Sequence, residues 1–304
     1  MKVVKNVINL LPIIAFIFFS IYLFYNDFYL SINPHDFASL IFSFILLIFV
    51  FTLKSFLWHR VLHRFQVKIS FKVAFSSQFK SIMMKYIPGK IWVIIGRASI
   101  ISQEGYSFAY CSFISSFMQI ITVISGLLVG LFGTLYFEFL FLPSKISYML
   151  LILLIILFLI FSREIIIPGM NVRFIPKFIR QYTGFKIPPV ADILILSIIH
   201  WILMGYAFLL FFQSIVFNIG WYPIFLQPLA NNIGILSAFT PGGLGVREGI
   251  MISYLSLEEF SIPEATTISI TARFWFCIGE LFVFIIGLLI RKNTLYHDTK
   301  IQRE

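Results

Sequence analysis

The residues best placed to do chemistry are charges beside proline–glycine breaks in otherwise apolar sequence. Thr240-Pro241-Gly242-Gly243-Leu244-Gly245-Val246-Arg247-Glu248-Gly249 interrupts an apolar run over residues 223–257. Proline lacks a backbone donor and glycine is a poor helix former, so no continuous helix passes through this stretch. A helix that restarts after such a break offers unpaired N–H groups and the positive end of its dipole, which suit a phosphate. Arg247 adds a full positive charge beside that restart, with Glu248 next to it. A second break, Pro88-Gly89, is followed at once by Lys90 and, seven residues later on the same helical face, by Arg97. The pattern points to an anion site built from Lys90, Arg97, Gly242, Gly243, Gly245, Arg247 and Glu248. Pro88-Gly89 and Pro241-Gly242 would be its turns.

Arg273 and Glu280 lie seven residues apart in the last apolar run. That spacing puts them on one helical face about 10 Å apart along the axis, and they join the candidate site. Glu280 falls about 15 Å from the cytoplasmic end, close to mid-membrane. A carboxylate there is either paired with a cation or neutral. Proton coupling, a partner for Arg97 or Arg247, and a structural ion pair are the open readings.

Other polar residues give weaker signals. His200, two turns after Asp192, fits an interhelical hydrogen bond better than a proton relay. His59 and His63 have metal-ligand spacing but no evident third ligand, so they read as interfacial residues. Lys80 and Lys85 read as cations reaching to headgroups. Asn231 and Asn232 could equally bind a substrate hydroxyl or bond the broken backbone. The glycine cluster lacks the Gly-Lys-Ser/Thr ending and preceding strand of a nucleotide loop. Cys111 and Cys277 lie in apolar runs and imply no disulfide or metal site. Neither a cofactor nor a nucleophile–base–orienter set emerges, and the expectation is a transporter, not an enzyme.

The elements that position these residues follow from composition. Of 304 residues, 60% are hydrophobic and only 12% charged, against about 25% charged in an ordinary soluble domain. Several apolar runs approach the roughly 20 residues needed to cross a bilayer. The chain reads as an all-α polytopic membrane protein, a single integral membrane domain over 1–304. The net charge of +10 sits in loops, where it sets topology and attracts anionic lipid. Nucleic acid is a poor partner for charges so placed.

The run at 7–25 lacks a small-residue cleavage site and reads as a retained first span. A second span covers 37–57, followed by Lys54, Arg60, Arg64, Lys68 and Lys72 without an acidic residue. A second basic loop carries Arg163, Arg173, Lys177, Arg180 and Lys186. Both are cytoplasmic by the positive-inside rule. Spans at 106–137 and 146–161 supply the even number of crossings between them. Residues 73–103 must then enter and leave from the cytoplasmic side. By the same count, with spans at 190–217 and 265–290, residues 223–257 enter and leave from outside. The expectation is six crossings, two oppositely oriented re-entrant hairpins and eight hydrophobic segments, with both termini cytoplasmic. The first half is 1–162 with the inner hairpin 73–103; the second is 190–290 with the outer hairpin 223–257. Paired broken segments in two halves suggest an inverted repeat with a binding site between them.

Lys85-Tyr86-Ile87-Pro88-Gly89-Lys90 with Trp92 and Gly96-Arg97, together with Pro241 to Gly249, resembles the lysylphosphatidylglycerol synthase transmembrane region family. The likeness covers essentially the whole chain. It implies an inner or plasma membrane protein whose partners are membrane lipids, with a glycosyltransferase or lipid synthase as a further partner. No soluble aminoacyl-transferase domain follows residue 290, so the resemblance implies translocation of a lipid and not its synthesis. The expected function is a flippase for a phosphate-bearing lipid, either a phospholipid or a polyprenyl-phosphate-linked glycolipid. The alternative is a non-transporting subunit that supports a glycosyltransferase in surface glycolipid or polysaccharide synthesis. The sequence leaves substrate, coupling and oligomeric state open.

Overall fold

The computed structural model describes residues 35–87, 91–137, 144–162, 165–166, 186–217, 219–237, 243, 245–258 and 260–301. The expected first span at 7–25 lies outside these residues. So do both turns, Pro88-Gly89 with Lys90 and Pro241-Gly242.

The described chain is helical. The long helices are α1 (Phe37–Arg64), α4 (Phe108–Phe137), α6 (Ala191–Ile215) and α9 (Ile262–Ile301). Between them lie α2 (Phe71–Ile82, continued by a 3-10 turn at Met83–Tyr86), α3 (Trp92–Ile101), α5 (Ser144–Ser162), α7 (Pro223–Leu236) and α8 (Val246–Leu257). Two short strands, β1 (Ile165–Ile166) and β2 (Lys186–Ile187), pair antiparallel. Helix starts follow local chemistry. Asp36 accepts a hydrogen bond from the Ser39 N–H at 3.0 Å and caps α1, and Pro223 opens α7, where its missing donor costs nothing. Ser261 and Glu264 exchange bonds to close a capping box on α9. α9 runs past the expected end at 290, and α1 continues two turns past the expected end at 57. Arg60 and Arg64 are therefore helical residues and not part of a loop.

Among the described residues, four helices, α1, α4 over Phe108–Tyr136, α6 and α9 over Ile262–Ile290, are long and apolar enough to cross a membrane. Their outward faces fit lipid and not water: Phe42, Ile45 and Phe49 on α1 and Phe282, Ile285 and Leu289 on α9 are exposed. Polar contacts between helices are few and local, as expected without water. Trp58 Nε1 donates to Ser77 Oγ at 2.8 Å, Trp275 Nε1 to Ser43 Oγ at 3.0 Å, and Trp201 Nε1 to the Thr122 carbonyl at 2.8 Å.

α2, α3, α7 and α8 are only 10 to 14 residues long, about 15–21 Å at the helical rise, too short to cross a 30 Å core alone. The ends of each short pair are tied together. The Lys68 N–H, before α2, donates to Tyr106 Oη, after α3, at 2.9 Å. The rings of Tyr222, before α7, and Tyr254, near the end of α8, lie 4.4 Å apart. α1 and α6 run antiparallel: Arg60 and Arg64 bond Asp192 at one end, and the His35 N–H donates to the Ser214 carbonyl at the other.

The packing repeats between halves. α1 lies on α6, the first long helix of one half against the first of the other. The first short limb of each half also reaches across, α2 to α9 and α7 to α4, while keeping contact with the first helix of its own half, α2 with α1 and α7 with α6. The second limb stays home, α3 on α4 and α8 on α9.

Candidate functional site

Arg97 is set by α3 and is almost wholly buried. Its guanidinium donates to Gln78 Oε1 on α2 and Gln119 Oε1 on α4, both at 3.3 Å, and lies 5.2 Å from the Trp58 ring centroid. These partners are neutral, and its Nε has no hydrogen-bond partner among the described residues. Arg247, in the first turn of α8, is equally buried. It makes no ion pair or hydrogen bond among the described residues, and its Cζ sits 4.8 Å from the Phe276 ring centroid on α9.

Backbone geometry at the outer break makes room for Arg247. Gly243 has φ of 74°, a left-handed conformation that disfavours other residues. A Cβ there would lie 3.1 Å from Gly234 Cα, while one on Gly234 would lie 2.6 Å from Arg247 Cγ. The two glycines thus let the α7–α8 connection close and the arginine stem lie flat across α7. Gly245, with φ of 82°, donates its N–H to Glu248 Oε2 at 2.7 Å, so Glu248 caps the start of α8. Its other oxygen is 3.8 Å from Arg273 Nε.

Glu280 is buried on α9, where Lys85 Nζ pairs with Oε1 and Tyr86 Oη donates to Oε2 at 2.8 Å. Tyr86 Oη also lies 2.9 Å from Cys277 Sγ. Of the open readings of Glu280, the structure supplies an ion pair between segments, with Lys85 as the cation in place of Arg97 or Arg247.

These groups converge on one cavity of about 260 Å³. Its polar lining is Lys54, Gln78, Lys85, Arg97, Gln119, His200, Asn231, Arg247 and Glu280, and Gly243 contributes backbone. Phe51, Ile82, Trp201, Met204 and Phe276 supply apolar wall. The cavity therefore draws on both short-helix pairs and on α1, α4, α6 and α9. Of the expected site residues, Arg97, Gly243, Arg247 and Glu280 meet there. Glu248, Gly245 and Arg273 stand behind them and not in the wall, Glu248 bonded to the Gly245 N–H and ion-paired with Arg273. Lys90, Gly242, Pro88, Gly89 and Pro241 lie outside the described residues.

The Lysylphosphatidylglycerol synthase TM region family model matches residues 6–287. The chain belongs to this family. It is a multi-pass membrane protein of a family related to lipid or glycolipid handling. No curated protein and no solved structure gives a significant match.

Several site residues of this family member escape sequence reasoning. Lys85, expected at a headgroup, faces inward to Glu280. Lys54, grouped with a loop, lies on α1 in the cavity wall without a bonding partner among the described residues. The expected interhelical partner of His200 is within reach as the Val50 carbonyl on α1, although neither ring nitrogen makes a hydrogen bond of normal geometry among the described residues. The ring also lines the cavity. Asn232 donates to the Pro228 carbonyl at 2.7 Å and fills the space left by Gly126, a structural role. Asn231 faces the cavity. His59 and His63 both approach the Ile69 carbonyl, at 3.2 and 3.3 Å.

Proposed function

We propose that this chain is a lipid flippase that moves a phosphate-bearing lipid across the cytoplasmic membrane. The observation that carries the reading is the pair Arg97 and Arg247, buried in one cavity from two different short-helix pairs, with no carboxylate bonded to either among the described residues. An uncompensated guanidinium in a membrane interior costs several kcal/mol and is retained where an anion visits it. A phosphate offers the oxygens that a fork of N–H donors matches. In this reading the headgroup enters the cavity while its tails remain in the bilayer.

The topology that goes with it has six crossings and both termini in the cytoplasm. Residues 73–103 form a hairpin from the inner face and 223–257 one from the outer face. The tied ends of each short pair and the crossed packing of the two halves support it. Coupling comes from the proton gradient, the membrane potential or downhill flux, since the sequence carries no nucleotide loop.

Reconstitution into liposomes with a fluorescent phosphate-bearing lipid, read by quenching of the outer leaflet, tests the proposal. Protein-dependent translocation that collapses in Arg97→Gln and Arg247→Gln is expected. Absence of translocation, with a glycosyltransferase retained on the purified protein, would replace it with the membrane-subunit reading.

A further inference from the structure

The charge balance of the cavity speaks to which headgroup it takes. Glu280 is engaged by Lys85 and Tyr86, and Glu248 by Arg273 and the Gly245 N–H. Lys54, Arg97 and Arg247 remain without a carboxylate bonded to them among the described residues, and all three line the same void. Lys54 is also within electrostatic reach of Arg97, Lys85 and, more weakly, Glu280. Counting the partners behind the wall, five basic side chains meet two carboxylates among the described residues, an excess of up to three positive charges beside a largely apolar wall. Like charges so placed repel strongly until an anion neutralises them.

We infer that the cavity selects a headgroup with at least two negative charges on phosphoryl oxygens, and rejects an aminoacylated one. The inference rests on the cavity being the headgroup site of the proposed flippase. An ordinary phosphodiester brings one negative charge and leaves two cations unmatched. A diphosphate or a terminal phosphomonoester brings about two. A lysyl ester of phosphatidylglycerol carries two ammonium groups against one phosphate, so its headgroup is a net cation. It would be repelled by the same residues that attract phosphate. The neutral groups fit this assignment. The Arg97 fork is held by the Gln78 and Gln119 carbonyl oxygens with Nε unpartnered, and both nitrogens of the buried His200 are unpartnered at the wall. Asn231 adds an amide. These are donors and acceptors for a second phosphoryl group or an attached sugar. The family's name thus does not name this chain's cargo.

The test is equilibrium binding to the full chain in neutral detergent, with four probes in mixed micelles. Farnesyl diphosphate offers adjacent phosphates, and short-chain phosphatidic acid a single phosphomonoester. Phosphatidylglycerol is a monoanion, and lysylphosphatidylglycerol a net cation. The first two are expected to bind at least about tenfold tighter than phosphatidylglycerol, as one added charged hydrogen bond implies. Lysylphosphatidylglycerol should bind weakest. The ratio of the first two separates a diphosphate-linked lipid from a phosphomonoester one. Lys54→Gln and Arg97→Gln should each flatten the ranking, while Lys72→Gln, at an exposed site outside the cavity, should leave it intact. If Arg97→Gln does not fold, Lys54→Gln and the steepness of the salt dependence decide the same question. Lysylphosphatidylglycerol binding as tightly as phosphatidylglycerol, or an unchanged ranking in folded Lys54→Gln, would overturn the inference. Charge-graded binding without translocation in liposomes would support it while removing the flippase reading. Ungraded translocation of all four lipids would do the reverse.

Discussion

Lys85 and Arg247 lie over the same ring: Lys85 Nζ and Arg247 Cζ are each 4.8 Å from the centroid of Phe276. One comes from just before the inner break and the other from just after the outer break. α9 is where the two short-helix pairs meet, and the π face of Phe276 softens the approach of two like charges. Among the described residues Lys85 is paired directly with a carboxylate, Glu280, and Arg247 is not, and that asymmetry separates the roles of the two cations.

Arg247→Met should trade function for stability. The methionine keeps the apolar stem packed on Gly234 but removes a buried charge that has no bonded counter-ion. Translocation should fall at least about tenfold while Tm stays level or rises, since an unpaired buried charge opposes folding. A Tm drop of several degrees in a thermal melt would mark Arg247 as a structural residue instead.

The Lys85–Glu280 pair should behave in the opposite way. Glu280→Gln leaves an ammonium group in the bundle and should destabilise by about 2–3 kcal/mol. That is below the full cost of breaking a buried pair because the Lys85 side chain is 23% exposed to the cavity. The double variant Lys85→Met/Glu280→Met should recover most of that loss. Chemical unfolding of the three variants in detergent measures both effects. A double variant no better than Glu280→Gln alone would show that the pair's electrostatics is not what matters.

Gly243→Ala should damage the site with limited harm to the fold. The left-handed φ costs an alanine about 1–2 kcal/mol, and its Cβ would press on Gly234 at 3.1 Å. Gly234→Ala should act on the same target from the other side by displacing the Arg247 stem. Both variants should lose phosphate-lipid binding by about tenfold or more, with melting curves that stay cooperative. Wild-type affinity in either would break the link between the glycine contact and the arginine.

Accessibility labelling checks the topology. Cysteines at positions Ser70 and Thr183 should react from the cytoplasmic side, and those at Ser31 and Ser261 from outside. The background is clean because the native Cys111 and Cys277 are both buried. Opposite labelling of Ser70 and Thr183 would mean that residues 73–103 cross the membrane, and the two-hairpin arrangement would fall.

The membrane class and the breaks at residues 88–89 and 241–242 were legible because composition and proline–glycine chemistry act locally. Arg97 and Arg247 stood out for the same reason: a charge in an apolar limb is visible in one dimension. Lys85 and Glu280 did not reveal each other, since 195 residues separate them and only the packing of the inner pair on α9 joins them. Lys54 falls within the expected second span but was grouped with the basic residues that follow it, because a charge in one dimension does not tell which helical face carries it. α1 turns Lys54 to the cavity, and two further turns bring Arg60 and Arg64 to Asp192. Gln78 and Gln119 carry no signal of their own, because an amide becomes informative only once a guanidinium is beside it.

The crossed limbs have a consequence for how the chain could be cut. With α2 resting on α9 and α7 on α4, each half covers its neighbour's limb in the manner of swapped protomers. A chain severed between Ser162 and Ala191 would yield two fragments, each with a bare surface shaped for the other. Expressed singly they should aggregate or be degraded, and expressed together they should reassemble without a covalent link.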